Sequence, residues 1–241
     1  MPAPTIGILA GMGPRSTAPF IDLVVTQCQR QYGARDDIDF PKMLICSQPA
    51  PFYEDRPVDH AALEAAIRDG LQHLERAGAD FLAIACNTAH IYYASLAASV
   101  RVELLNIIDL AVQAIPASSR KVALVAARPT AEAGIFQNAL RERGQEVRDL
   151  DWQDGVDRLL AATRDATEPA VFTSLWGSLT DRALAADIDT VLVACLDLSG
   201  VLHHAKTTLP IVDAAQCLAE EIVREWLARR DASPVRGQIA Q

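Results

Sequence analysis

The sequence has no cluster of lysine and arginine. Its 22 basic residues are outnumbered by 31 acidic ones, for a formal net charge of −9. That balance argues against a nucleic acid or an anionic membrane surface as partner. No apolar run approaches the length that crosses a bilayer, and no charged leader precedes the first apolar stretch. The expected location is therefore the cytoplasm, with no membrane partner. There is no C-x-x-C, and the five cysteines (Cys28, Cys46, Cys86, Cys195 and Cys217) are widely spaced and odd in number. This fits free thiols in a reducing compartment better than a disulfide framework or a zinc site. The five histidines, His60, His73, His90, His203 and His204, show no metal-ligand spacing, so no metal is expected. Gly7, Gly11 and Gly13 miss the G-x-G-x-x-G spacing, and no acidic residue ends the next strand, which excludes a nicotinamide dinucleotide. Lysine is scarce: Lys42, Lys121 and Lys206 are the full set, and none has a phosphate-cradling context. A pyridoxal phosphate Schiff base is therefore not expected, nor any other cofactor.

Half of the 241 residues are apolar, enough to build one large α/β domain or two of ordinary size. The most informative stretch is Phe81-Leu82-Ala83-Ile84-Ala85-Cys86-Asn87-Thr88-Ala89-His90. Its first five residues read as a buried strand of a parallel sheet. A thiol, an amide and a hydroxyl then arrive in succession, and a helical pattern follows from Ile91 to Val100. Ligands of α/β proteins sit at the carboxyl ends of strands. A helix N-terminus there also favours a thiolate, so a lowered pKa is expected for Cys86.

The remaining chain alternates strands and helices. Thr5–Ala10 reads as a strand, and Gly11-Met12-Gly13-Pro14-Arg15-Ser16-Thr17 as a glycine-rich turn suited to a small anion, opening a helix to about Gln31. Asp39–Ser47 reads as a strand, and 48–57 as a proline-rich loop whose Arg56 is either a solvated charge or a carboxylate clamp. Asp59–Ala77 has helical periodicity (Leu63, Ile67, Leu71, Leu74) and stops at Gly78. Glu103–Ile108 reads as a fourth strand and Asp109–Ile115 as a helix. After Pro116 the pattern restarts: strand Lys121–Ala126, helix to Gly144, short strand Glu146–Leu150. Helices follow over Gly155–Ala162 and Val171–Ala186, the latter broken at Trp176-Gly177. Strand Thr190–Ala194 ends in Cys195, and strand Leu209–Val212 leads to helix Ala214–Arg230.

The two halves match. Ile6-Gly7-Ile8-Leu9-Ala10 corresponds to Val122-Ala123-Leu124-Val125-Ala126, and Leu82-Ala83-Ile84-Ala85-Cys86 to Val191-Leu192-Val193-Ala194-Cys195. This internal duplication predicts two similar Rossmann-like α/β domains related by a pseudo-twofold axis, with both cysteines at the cleft between them. The expected division is 1–112 plus 211–241 for the first domain and 113–210 for the second.

Two thiols on opposite walls of an anion-binding cleft suit proton transfer at carbon. One thiolate removes a Cα proton while the opposite thiol supplies one to the other face. Asn87, Thr88 and backbone N–H groups would stabilise the charge developing on the carboxylate. Cys28 and Cys217 fall in helical patterns and read as packing thiols. Cys46 ends a strand near the cleft. His90 is suited equally to helix packing and to tuning the thiolate.

These residues resemble the aspartate/glutamate racemase superfamily, and within it the cofactor-independent aspartate racemase branch, over nearly the whole chain. The resemblance is carried by Ile6-Gly7-Ile8-Leu9-Ala10-Gly11-Met12-Gly13-Pro14, by Cys86-Asn87-Thr88-Ala89-His90, by Gly134 and by Cys195. It implies that Cys86 and Cys195 are the two acid/base thiols and that Asn87 and Thr88 hold the α-carboxylate, with Met12 and Gly13 in the adjoining turn. Arg56 would reach a side-chain carboxylate, Thr130 would close the second-domain turn, and Arg164 would stand where a lysine approaches the site. The family's G-C-T-E around the second cysteine is here Ala194-Cys195-Leu196-Asp197, which loses a hydroxyl and keeps an acid one carbon shorter. The family's T-x-G-T-like turn is Ala127-Arg128-Pro129-Thr130, and Arg15 occupies a position the family leaves variable. The implied activity is cofactor-independent racemisation of an amino acid, aspartate or glutamate, by a homodimer. A diacid isomerase with a nucleophilic cysteine and a non-catalytic amino-acid-binding regulator are the alternatives.

Overall fold

The computed structural model describes residues 3–53, 57–165, 168–202 and 207–232. Arg56 and the His203-His204 pair lie outside the described residues. The chain forms two four-stranded sheets, each entirely parallel. The first contains β1 (Ile6–Ala10), β2 (Met43–Ser47), β3 (Phe81–Ile84) and β4 (Glu103–Leu104) in the order β2-β1-β3-β4. The second contains β5 (Lys121–Ala126), β6 (Glu146–Val147), β7 (Thr190–Ala194) and β8 (Ile211–Asp213) in the order β6-β5-β7-β8. The predicted duplication is thus met strand for strand.

The apolar runs read from the sequence are the central strands, buried on both faces. Their alternation divides the core into three. Ile6, Ile8, Phe81 and Ala83 of the first sheet and Val122, Leu124 and Leu192 of the second turn toward one shared core. That core is filled by α1 (Thr17–Tyr32), α4 (Ile107–Ala114), α6 (Ile135–Glu142) and α10 (Ala214–Ala232). On the far side of the first sheet, Leu9, Leu82 and Ile84 pack under α2 (His60–Arg76) and α3 (Tyr93–Ala97). On the far side of the second, Val125, Val191 and Val193 pack under α7 (Gln153–Arg164) and α8 (Pro169–Ala185).

Several boundaries differ from the sequence reading. β2 begins at Met43, because Asp36 caps a 3-10 turn over Asp37–Asp39. β4 stops at Leu104, because the Asn106 side chain accepts the Ile108 N–H at 3.0 Å and starts α4 at Ile107. α8 runs unbroken through Trp176 and Gly177; Trp176 is buried in the outer core of the second sheet and holds the helix there. After Cys86 the expected helix is a 3-10 turn, Thr88–Tyr92, followed by the short α3. The expected division gives 211–241 to the first domain. In the structure β8 pairs with β7 in the second sheet, whereas α10 packs on α1 and α4. Trp226 of α10 donates its indole N–H to the Pro4 carbonyl at 3.0 Å, and the Arg229 guanidinium lies 5.1 Å from the Phe81 ring centre.

Candidate active site

Cys86 and Cys195 stand just beyond the carboxyl ends of β3 and β7, and both line one cavity of about 310 Å³. The first half contributes the turn after β1 (Gly11, Met12, Gly13, Pro14), the start of the 3-10 turn (Asn87, Thr88, Ala89), Ala50 and Phe52 of the loop after β2, and Leu63 and Ile67 of α2. The second half contributes Ala127, Leu160, Arg164, Ala194, Leu196 and Asp197. Gly11 makes the first turn possible. Its φ is +96°, and a Cβ there would lie 2.6 Å from the backbone nitrogen of Gln48.

Among the described residues, two hydrogen bonds join the halves across the cleft. The Thr88 and Thr130 hydroxyls are hydrogen-bonded to each other at 2.7 Å, either one serving as donor. Thr130 belongs to α5 (Arg128–Ala133) and is fully buried. Ser16, buried ahead of α1, donates its hydroxyl to the Asp197 carboxylate. Asp197 sits in α9 (Leu196–Ser199), the single turn after Cys195, and its carboxylate lies over Gly13. α9 is pinned from behind: Asp213, ending β8, accepts the Ser199 hydroxyl at 2.8 Å and the Ala215 N–H at 3.0 Å. Burial pushes the Asp213 carboxyl up to about 6.

The Asn87 side chain is 3% exposed, and among the described residues neither its amide oxygen nor its nitrogen has a hydrogen-bond partner. Leaving both unpaired costs on the order of 1–3 kcal/mol per group. Since Asn87 lines the cavity, a ligand that both donates and accepts is the natural complement.

The electrostatics correct one expectation. Both thiols stand above, not below, their ordinary value. Burial pushes Cys86 up to about 11, against the N–H groups of Ala89 and Thr88 and the Thr88 hydroxyl, which favour the thiolate. Burial and the Asp197 charge push Cys195 up to about 12, with Arg164 acting in the opposite direction. Desolvation therefore outweighs the local donors that the sequence made visible.

His90 is settled by its bonds. Its Nδ1 lies 2.8 Å from the Cys86 carbonyl oxygen, its Nε2 accepts the Ile107 N–H at 3.4 Å, and its ring stacks on Tyr93 at 5.9 Å. Burial pushes the imidazole down to about 4, so it is neutral and holds the backbone of Cys86 against the start of α4. Cys46 donates to the Gln48 side-chain oxygen at 3.8 Å and is not among the cavity-lining residues. Cys28 is buried in the shared core and Cys217 lies on α10. Of the residues singled out from sequence, Met12, Gly13, Cys86, Asn87, Thr88, Arg164, Cys195 and Asp197 meet at the cavity wall, and Thr130 reaches it through Thr88. Ser16, Phe52, Leu63, Ile67 and Leu160 were not anticipated as site residues. Ser16 already stood in the glycine-rich turn, but nothing local signals its partner 181 positions away.

Comparison with known proteins shows the family and the fold. The model of the Asp/Glu/hydantoin racemase family matches residues 9–222. The chain is 43% identical over 224 residues to the broad specificity amino-acid racemase RacX of Bacillus subtilis (strain 168), covering 92% of this chain and 98% of that one. Among solved structures, the aspartate racemase of Picrophilus torridus superposes with a TM-score of 0.75 at 23% identity, covering 92% of this chain and 94% of the other. A glutamate racemase of Francisella tularensis, solved with D-glutamate, gives 0.71 at 9% identity over 98% and 86%. Among the described residues, no helix is long and apolar enough to cross a membrane. With the family model spanning most of the chain and a curated relative matched nearly end to end, this protein belongs to the Asp/Glu/hydantoin racemase family and is an enzyme of the amino-acid racemase type.

Proposed function

We propose that the protein racemises free α-amino acids by a two-thiol mechanism without a cofactor. The observation that carries the reading is the pair of cysteines at equivalent strand ends on facing halves, both lining one cavity. The substrate lies between them. One sulfur, as thiolate, takes the Cα proton, and the other, as thiol, delivers a proton to the opposite face. The α-carboxylate, on which the carbanion's charge develops, is held by Asn87, Thr88 and Thr130, with the Met12-Gly13 turn alongside. The two threonine hydroxyls exchange their mutual bond for bonds to the ligand. Asn87 gains the partners it lacks, its N–H₂ donating to the carboxylate and its oxygen accepting from the ammonium. Asp197 also receives the ammonium, whose positive charge beside the sulfurs offsets the burial that holds them protonated.

This constellation reads the backbone of an amino acid, which suits the broad specificity for which the Bacillus subtilis relative is named. Aspartate and glutamate fall within that range. Arg164 is the described cation that would face a side-chain carboxylate, and Arg56 would serve the same end. The resemblance further implies a homodimer, and the composition a cytoplasmic location.

The test is racemisation of single enantiomers, followed by chiral chromatography on purified protein without added cofactor. Cys86→Ser and Cys195→Ser are each expected to lower kcat by at least about 10³-fold, because each face of Cα has its own thiol and replacing the acid or the base removes a whole step. Retention of wild-type rates by either variant would overturn the two-thiol reading.

A further inference from the structure

The cavity has two chemically different walls. Among the described residues, the charged side chains that line it, Arg164 and Asp197, both come from the second half. The facing wall is built from Ala50, Phe52, Leu63 and Ile67. Leu63 and Ile67 are 3% and 0% exposed and belong to the apolar cluster on the outer side of the first sheet. Met12, Ala50 and Cys86 pack against that same cluster, so the apolar surface is continuous from the reacting sulfur to the loop after β2. Phe52 stands on that loop with 41% of its surface exposed, an aromatic ring left partly in solvent beside the cavity. The polar groups that bind an α-carboxylate and an ammonium (Asn87, Thr88, Asp197) leave this wall for what remains of the ligand, its side chain.

We propose that this wall is the side-chain subsite, and that the enzyme prefers amino acids with uncharged aliphatic or thioether side chains, such as leucine and methionine, over aspartate and glutamate. The proposal rests on the racemase reading above and narrows it. Among the described residues, this wall gives a side-chain carboxylate laid against Ala50 and Phe52, over Leu63 and Ile67, no donor in return for the water it loses, whereas each methylene placed there is removed from water at a gain.

The experiment is α-proton exchange in D2O, followed by NMR, over a panel of leucine, methionine, alanine, lysine, aspartate and glutamate. Binding of the same ligands to the Cys86→Ser/Cys195→Ser double variant is measured by calorimetry. Leucine and methionine are expected to exceed aspartate and glutamate by about tenfold or more in kcat/KM, the discrimination a few methylenes in an apolar pocket provide. Phe52→Ala, at an exposed loop position where folding is not at stake, is expected to lower kcat/KM for leucine and methionine by about tenfold and for alanine by less than about twofold. Faster exchange of aspartate, glutamate or lysine than of every aliphatic amino acid would overturn the proposal and leave the racemase reading standing. An equal loss for all substrates in Phe52→Ala would overturn the placement of the wall. If no amino acid exchanges, yet the double variant binds leucine more tightly than aspartate, the racemase reading fails and the subsite stands. If no amino acid exchanges and aspartate binds at least as tightly, both fall.

Discussion

At the scale of single residues, Asp197 does the most with the least. Its carboxylate lies over Gly13, accepts from Ser16 across the cleft, and raises the pKa of both thiols. Each sulfur is also desolvated, so the thiolate that the proposed mechanism needs is the disfavoured form. Activity should therefore climb with pH into the alkaline range, the ascending limb reporting the sulfur that acts as base in the free enzyme. Asp197→Asn keeps an oxygen for Ser16 but removes the negative charge. The thiolates are then less disfavoured, and the ascending limb of kcat/KM is expected to move down by roughly one pH unit. The ultraviolet absorbance of the thiolates should shift with it. A limb that stays in place or moves up would show that the Asp197 charge is not felt at sulfur.

At the scale of elements, the clearest surprise is α8. Trp176-Gly177 reads as a break because glycine costs about 1 kcal/mol in a helix interior. The helix nevertheless continues, since Phe172, Trp176, Leu179 and Ala183 are all buried against the second sheet and tertiary packing decides. A Cβ at Gly177 would meet nothing within 4 Å. Gly177→Ala is therefore expected to stabilise the protein by about 0.5–1 kcal/mol, seen as a higher urea midpoint at unchanged slope. A lower midpoint would contradict the open space beside Gly177. The central strands were legible because their cause is local: uninterrupted apolar runs, ended by a glycine turn at β1, a cysteine at β3 and β7, and a proline-containing turn at β5. The same holds for Cys86 and Cys195, which punctuate two matching runs. What could not be read has a non-local cause. Leu63 and Ile67 show only as a helical stripe, and nothing in that stripe says its end opens on the cleft. The Ser16–Asp197 and Thr88–Thr130 bonds join turns far apart in the chain. The direction of the thiol shifts was missed for the same reason, since a helix start is visible in sequence and burial is not.

At the scale of the whole molecule, the two halves are welded by the shared core as well as facing each other across a cleft. Side chains of α10, notably Ile222, Val223 and Trp226, are buried in a cluster that includes strands of both sheets. Damage on α10 should accordingly reach both halves. Trp226→Ala removes a large buried side chain and the bond to Pro4, and is expected to cost about 3–5 kcal/mol. It should lower the thermal midpoint in one cooperative transition. Two separated transitions would show that the halves fold independently. The shared core also fixes how far apart the cleft walls stand, and so whether two sulfurs reach one carbon. The most direct measurement of that claim is the fate of solvent deuterium early in racemisation of a single enantiomer in D2O. With separate thiols on the two faces, the account expects deuterium at Cα of the product enantiomer while the recovered substrate still carries hydrogen. Equal early labelling of recovered substrate and product would mean that one group serves both faces, and would contradict it.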